Sequence, residues 1–146
     1  MELNSKGRYA VMAMADLARH GGAMAVPLSD IAERQQISIA YLEQIFLKLR
    51  RAGLIESERG RSGGYRLAKP AAGIAVADVM AAADESVEMT RCASEGTPGC
   101  VKQERCLTHD LWDALSDKIR DYLQDVSLQD VIDGKVRRTA IREAAE

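Results

Sequence analysis

Between Leu28 and Arg51 the chain repeats an amphipathic helical pattern with only a few residues between the two copies, and few folds can use such a pair. Pro27 is suited to opening the first, short helix, because a proline is tolerated in a first turn but not in an interior. Gln36 and Ile37 leave room for a tight turn, and the Ser38 hydroxyl is suited to capping the second helix. In that helix Leu42, Ile45, Phe46 and Leu49 fall at i, i+3, i+4 and i+7, which makes one buried stripe. Ala40, Gln44 and Arg51 occupy the opposite face, with Glu43 and Lys48 beside them. Small and amide side chains on an outer face suit the major groove, where Gln pairs with an adenine edge and Glu accepts from cytosine. Alone, the pattern fits an ordinary helical hairpin as well as a DNA-reading helix-turn-helix.

The residues directly C-terminal to it favour DNA. Gly53 can end the helix in a left-handed conformation. Leu54–Glu58 and Tyr65–Ala68 read as two strands around Arg59-Gly60-Arg61-Ser62-Gly63-Gly64, a glycine-rich hairpin tip carrying two arginines. A hairpin directly behind a recognition helix is a wing, and its tip arginines are placed for phosphate or a minor groove. From Lys48 to Lys69 there are seven basic residues against Glu56 and Glu58. Such a run is often only a solvated face, but here it coincides with the wing.

The formal charge of −2 hides an uneven division. Residues 1–70 hold 11 basic and 7 acidic side chains, net +4, and residues 71–146 hold 9 and 15, net −6. The DNA-facing half is therefore expected at the N-terminus. No apolar run approaches membrane-spanning length and the start lacks a charged-then-apolar leader, so the expected compartment is the cytoplasm, with no membrane partner.

Ser5–Arg19 reads as a first helix with Ala10, Ala13, Met14 and Leu17 inward, and Ile74–Ala83 as a short one with Val76, Val79, Met80 and Ala83 inward. Asp84–Arg105 has no periodicity. Thr108 is placed to cap a long helix reaching about Val126, whose apolar stripe includes Leu111, Leu115, Ile119, Tyr122 and Leu123. That stripe is wider than one small domain needs, which points to a partner helix in a homodimer. Ser127 restarts a brief helix that Gly134 ends. The expected fold is mainly α with a small β-hairpin: a winged helix-turn-helix domain plus a long dimerisation helix. The expected division is residues 1–70 as the DNA-binding domain (helix-turn-helix 28–51, wing 54–68), 71–134 as metal-binding loop and dimerisation helix, and 135–146 as a charged tail.

Cys92, Cys100, Cys106 and His109 form a C-x7-C-x5-C-x2-H pattern. Three cysteines within fifteen residues cannot all pair, which favours a reducing compartment and a metal. Thiolates and imidazole suit tetrahedral zinc or an iron–sulfur cluster, and the spacing alone does not choose between them. An enzyme is disfavoured: the chain has two histidines, no nucleophile–base–orienter grouping and no dinucleotide-binding glycine motif.

Together these pieces resemble the IscR family of iron–sulfur winged-helix transcription regulators. The resemblance runs from Leu3-Asn4-Ser5-Lys6-Gly7-Arg8-Tyr9-Ala10-Val11 through Tyr41-Leu42-Glu43-Gln44 and Gly63-Gly64-Tyr65. It continues at Asp84-Glu85-Ser86-Val87 and Arg91-Cys92, ends with Cys106-Leu107-Thr108-His109, and covers nearly everything to Gly134. It implies a homodimer with one [2Fe-2S] cluster per subunit on Cys92, Cys100, Cys106 and His109, repressing cluster-assembly genes when loaded. It also implies that Ser38, Tyr41 and Gln44 contact a pseudo-palindromic operator, that Arg59 and Arg61 enter the minor groove, and that Glu43 discriminates between operator classes. With Ala40, Lys48 and Arg51 from the helix itself, these residues form the expected DNA-binding set. The seven-residue gap between Cys92 and Cys100 is like that of related iron-responsive regulators, which makes a [4Fe-4S] cluster the alternative, with zinc a third. Arg61-Ser62 replaces a glycine- and proline-rich wing tip of the family, so operator preference is expected to differ.

Overall fold

A computed structural model describes residues 5–85 and 105–136. Its elements are helix α1 (Ser5–His20), α2 (Leu28–Gln35), α3 (Ile39–Arg51), strands β1 (Ile55–Glu58) and β2 (Gly64–Leu67), then α4 (Val76–Ala82), α5 (His109–Asp125) and α6 (Leu128–Ile132). The mainly helical architecture with one small antiparallel hairpin agrees with the sequence reading.

One core unites α1–α4, β1 and α6. Ala10, Ala13, Met14 and Leu17 of α1 meet Ile31 of α2 and the expected stripe of α3, Leu42, Ile45, Phe46 and Leu49, all buried. Each fully buried Leu or Phe contributes roughly 1.5–3 kcal/mol, so the orientation of α3 is set by its inner face. Pro27 stands one residue before α2, in extended backbone, rather than inside its first turn. Between α2 and α3 the chain turns at Gln36, with φ 53°, and the Ile37 amide donates to the Ala32 carbonyl. Ser38 caps α3 as expected, its hydroxyl accepting from the Tyr41 amide at 3.3 Å.

The hairpin pairs Ile55 with Leu67 and Glu58 with Gly64. Its attachment to the domain is non-local. Val26 and Tyr65 exchange both backbone hydrogen bonds, at 2.8 Å each, so the segment before α2 acts as a third, one-residue strand. The Tyr65 ring meets Phe46 edge-on, centroids 4.9 Å apart, which fixes the wing to the inner side of α3.

Two expectations about the second half are corrected. Ile74 and Ala75 are not helical: Ala71–Gly73 is a short 3-10 turn, and α4 begins only at Val76. The reason lies in distant partners. The Leu128 amide donates to the Ile74 carbonyl at 2.9 Å and the Val76 amide to the Val126 carbonyl at 2.8 Å, which draws this stretch into an extended pair with the start of α6. Thr108 precedes α5 but makes no side-chain cap; its hydroxyl lies 3.6 Å from the Cys106 Sγ. The cap at Ser127 is complete, with Asp130 answering it in a reciprocal box.

A buried carboxylate braces α1 against the helix-turn-helix. Asp16 is fully enclosed and accepts from Arg34 Nη2 at 2.7 Å, from Arg34 Nε at 3.1 and 3.2 Å, and from Gln35 Nε2 at 2.7 Å. Burial alone would raise its pKa; the Arg34 and Gln35 hydrogen bonds and the charges of Arg34 and His20 outweigh it and hold the carboxyl below its ordinary value. A depressed folded-state pKa means the brace contributes fully above the unfolded value near ~3.9 and is lost as pH falls through the lower folded value. Asp16→Asn is therefore expected to cost about 2 kcal/mol at neutral pH, less than a fully enclosed pair because Arg34 is partly exposed. Urea unfolding at pH 7 and pH 3 checks this: the variant should lose less stability on acidification than the parent, and an equal loss would refute the assignment.

Candidate functional site

The outer face of α3 is open. Ser38, Ala40, Glu43, Gln44 and Arg51 are exposed and Tyr41 is half-buried, its ring edge-on to Tyr9 at 5.7 Å. The local sequence explains this: with the apolar stripe turned inward, the remaining positions of a 3.6-residue repeat must face solvent. At the wing tip Arg59 and Arg61 are also exposed, on a turn closed by the Gly63 amide donating to the Gly60 carbonyl at 3.0 Å. Arg66, counted with them in the basic run, is paired with Glu58 instead. Arg50 donates to the Ser57 hydroxyl at 3.2 Å and so ties the end of α3 to the wing.

Lys48 differs from the others in the expected DNA-binding set. It is half-buried, and its ammonium lies 2.6 Å from Asp84 Oδ2, just beyond α4. That hydrogen bond, together with the Lys48 charge, lowers the Asp84 pKa. Neither Asp84 nor the Asp16 brace stands out in the sequence pattern. An acid closing a helix, where glycine or a cation is the usual choice, is the available signal for Asp84.

Of the expected metal ligands, Cys92 and Cys100 lie outside the described residues. Cys106 and His109 are both half-buried and share one turn: the His109 amide, the first of α5, donates to the Cys106 carbonyl at 3.1 Å. Arg105 and Asp110 form an ion pair at 3.0 Å across the same turn. Among the described residues no group of three His, Cys, Asp or Glu side chains is close enough to hold a metal. The donor types of the two described candidates, Cys106 and His109, suit a thiolate–imidazole centre: a sulfur and a ring nitrogen stand at the positive end of a helix, where a thiolate is favoured.

Helix α5 carries an incompletely covered apolar face. Leu111 is 59% exposed and Tyr122 44%, while Leu115, Ile119 and Leu123 are half-buried. Ser116 is its one buried residue, its hydroxyl turned back onto the Trp112 carbonyl at 2.9 Å. Among the described residues no helix is long and apolar enough to cross a membrane.

Comparison with known proteins gives a consistent picture. The family described as "Rrf2: Iron-dependent Transcriptional regulator" matches residues 3–134. The HTH-type transcriptional regulator IscR of Pectobacterium carotovorum is 53% identical over 135 residues, covering 92% of this chain and 81% of that protein. IscR of Escherichia coli O139:H28 is 50% identical, covering 92% and 82%. Among solved structures, T. potens IscR is 35% identical with a TM-score of 0.75, covering 92% of this chain and 88% of that one. CymR, the global cysteine regulator of B. subtilis, is 28% identical with a TM-score of 0.77, covering 92% and 98%.

Proposed function

Since the chain belongs to the Rrf2 family and is a transcriptional regulator of IscR type rather than an enzyme, we propose that it senses iron–sulfur status through a [2Fe-2S] cluster and represses cluster-assembly genes when loaded. The observation that carries the DNA part is the exposed polar face of α3 beside an arginine-tipped wing, both anchored on one core. Ser38, Tyr41 and Gln44 are assigned to bases or backbone, with Ala40 and Arg51 on the same outer face and Arg59 and Arg61 reaching the minor groove. Glu43, exposed on the same helix, accepts hydrogen bonds but cannot donate them, so it rejects operators that offer only acceptors there.

Cys92, Cys100, Cys106 and His109 are assigned as the cluster ligands, and the cluster supplies a redox- and iron-dependent bond set that the free ligands lack. Because Cys106 and His109 flank the first turn of α5, ligation bears on the helix that carries Leu111, Leu115, Ile119, Tyr122 and Leu123. We assign that apolar face to a two-fold partner, which makes the protein a cytoplasmic homodimer reading a pseudo-palindromic operator.

Anaerobic purification with iron, sulfide and zinc analysis tests the sensing half. About two irons and two sulfides per chain are expected; four of each would select a [4Fe-4S] cluster, and zinc without sulfide would end the sensing proposal. The DNA half is tested by titrating operator duplex with excess non-specific competitor. Failure of any complex to survive the competitor would overturn it.

A further inference from the structure

Asp84 occupies a position where glycine or a cation is the usual choice. Helix α4 ends in a Schellman arrangement: the Glu85 amide donates to the Met80 carbonyl at 3.0 Å and the Asp84 amide to the Ala81 carbonyl at 3.1 Å. The residue that closes such a motif is left-handed, and Asp84 has φ 58°, a conformation glycine adopts without penalty and Asn or Asp at a modest cost. A carboxylate there also faces the negative end of the helix. What offsets both costs comes from another element. Lys48, in the last turn of the recognition helix α3, places its ammonium 2.6 Å from the carboxylate, and Lys6 adds a weaker attraction.

Local rules broken at one residue and compensated at a distance mark a functional position more often than a structural one. The pair is also exchangeable rather than locked, since the Asp84 side chain is 71% exposed. A lysine in the last turn of a DNA-reading helix is a natural phosphate ligand. Building on the DNA reading proposed above, we propose that Asp84 is an internal competitor for a DNA phosphate: it holds Lys48 in the free protein and yields it on binding, which sets affinity below what α3 could reach. Asp84 also leads directly into the chain segment that carries Cys92 and Cys100.

Salt-dependent DNA binding by the full-length, metal-free protein tests this. Asp84→Asn keeps a residue that tolerates the left-handed region while removing the charge. It should bind duplex DNA about twofold to fivefold more tightly, the scale of one exposed ion pair. Its log–log salt slope should stay close to the parent's, because Lys48 neutralises the same phosphate in both complexes. A slope steeper by about 0.9 would mean that Asp84 never yields Lys48 and would overturn the proposal. Asp84→Gly should do the same, which guards against a folding artefact of one variant. The decisive comparison is made in a Lys48→Gln background, where Asp84→Asn should change nothing. An equal gain with and without Lys48 would mean general charge repulsion and would overturn the proposal, as would no gain at all. If the unaltered protein forms no DNA complex at low salt, the regulator reading fails first and this inference fails with it.

Discussion

A Gly64→Ala protein is expected to lose about 3 kcal/mol of folding stability and at least about tenfold in DNA affinity. The reason is geometric. A Cβ on residue 64 would lie 2.3 Å from the Val26 carbonyl oxygen, 2.4 Å from its carbon and 2.7 Å from the Pro27 nitrogen, all of them backbone atoms. No side chain can move aside, so the paired hydrogen bonds between Val26 and Tyr65 must lengthen or break and the wing must leave its seat. Gly64 also has φ 154°, where a Cβ is poorly tolerated. Gly53 is the control: its φ of 75° also favours glycine, but a Cβ there meets nothing within 4 Å. Gly53→Ala should cost only about 1 kcal/mol. Denaturant midpoints for the two variants measure the difference, and equal costs would refute the steric account.

Cys106→Ala should produce the opposite profile, with function lost and fold retained. Changes in the shell around metal ligands already cost about 10- to 100-fold in affinity, so loss of a ligand should exceed that. Iron and sulfide should fall to background after anaerobic purification. Far-UV circular dichroism and the metal-free unfolding midpoint should not move, because Cys106 stands in the half-exposed turn before α5 and outside the buried core. DNA affinity should then become the same before and after attempted cluster reconstitution. A Cys106→Ala protein carrying a full cluster would remove this residue from the ligand set.

The parts of the fold legible in the sequence are those set by neighbours in the chain. The stripe Leu42, Ile45, Phe46 and Leu49 and the Ser38 cap depend on spacings of three and four residues, and the glycine-rich tip of the wing is read from consecutive residues. The illegible parts depend on partners far apart. Asp16 and Arg34 are 18 residues apart, and Lys48 and Asp84 are 36 apart (84 − 48), so no window of local pattern contains either pair. Ile74 and Ala75 carry a helical pattern, yet they are extended because Val126 and Leu128 offer them backbone partners. Thr108 shows the limit of cap rules: the right residue type stands at the right place, and its backbone at ψ 3° does not direct the hydroxyl onto α5.

The meeting of Ala75 with Ser127 has an evolutionary consequence. Two neighbouring backbone hydrogen bonds join the chain at Val76 and Leu128. Helix α4 still packs into the core through Val79 and Ala83, and the chain leaves that core only after Ala83 to re-enter it at Leu128. All four assigned ligands and α5 lie inside that excursion, whereas α3 and the wing lie wholly before it. A segment held at its two ends can be lengthened cheaply between them, since doubling a loop costs only about 0.6 kcal/mol of closure entropy. Selection can therefore respace cysteines, exchange one sensory chemistry for another, or discard it, while the reading head is inherited unchanged.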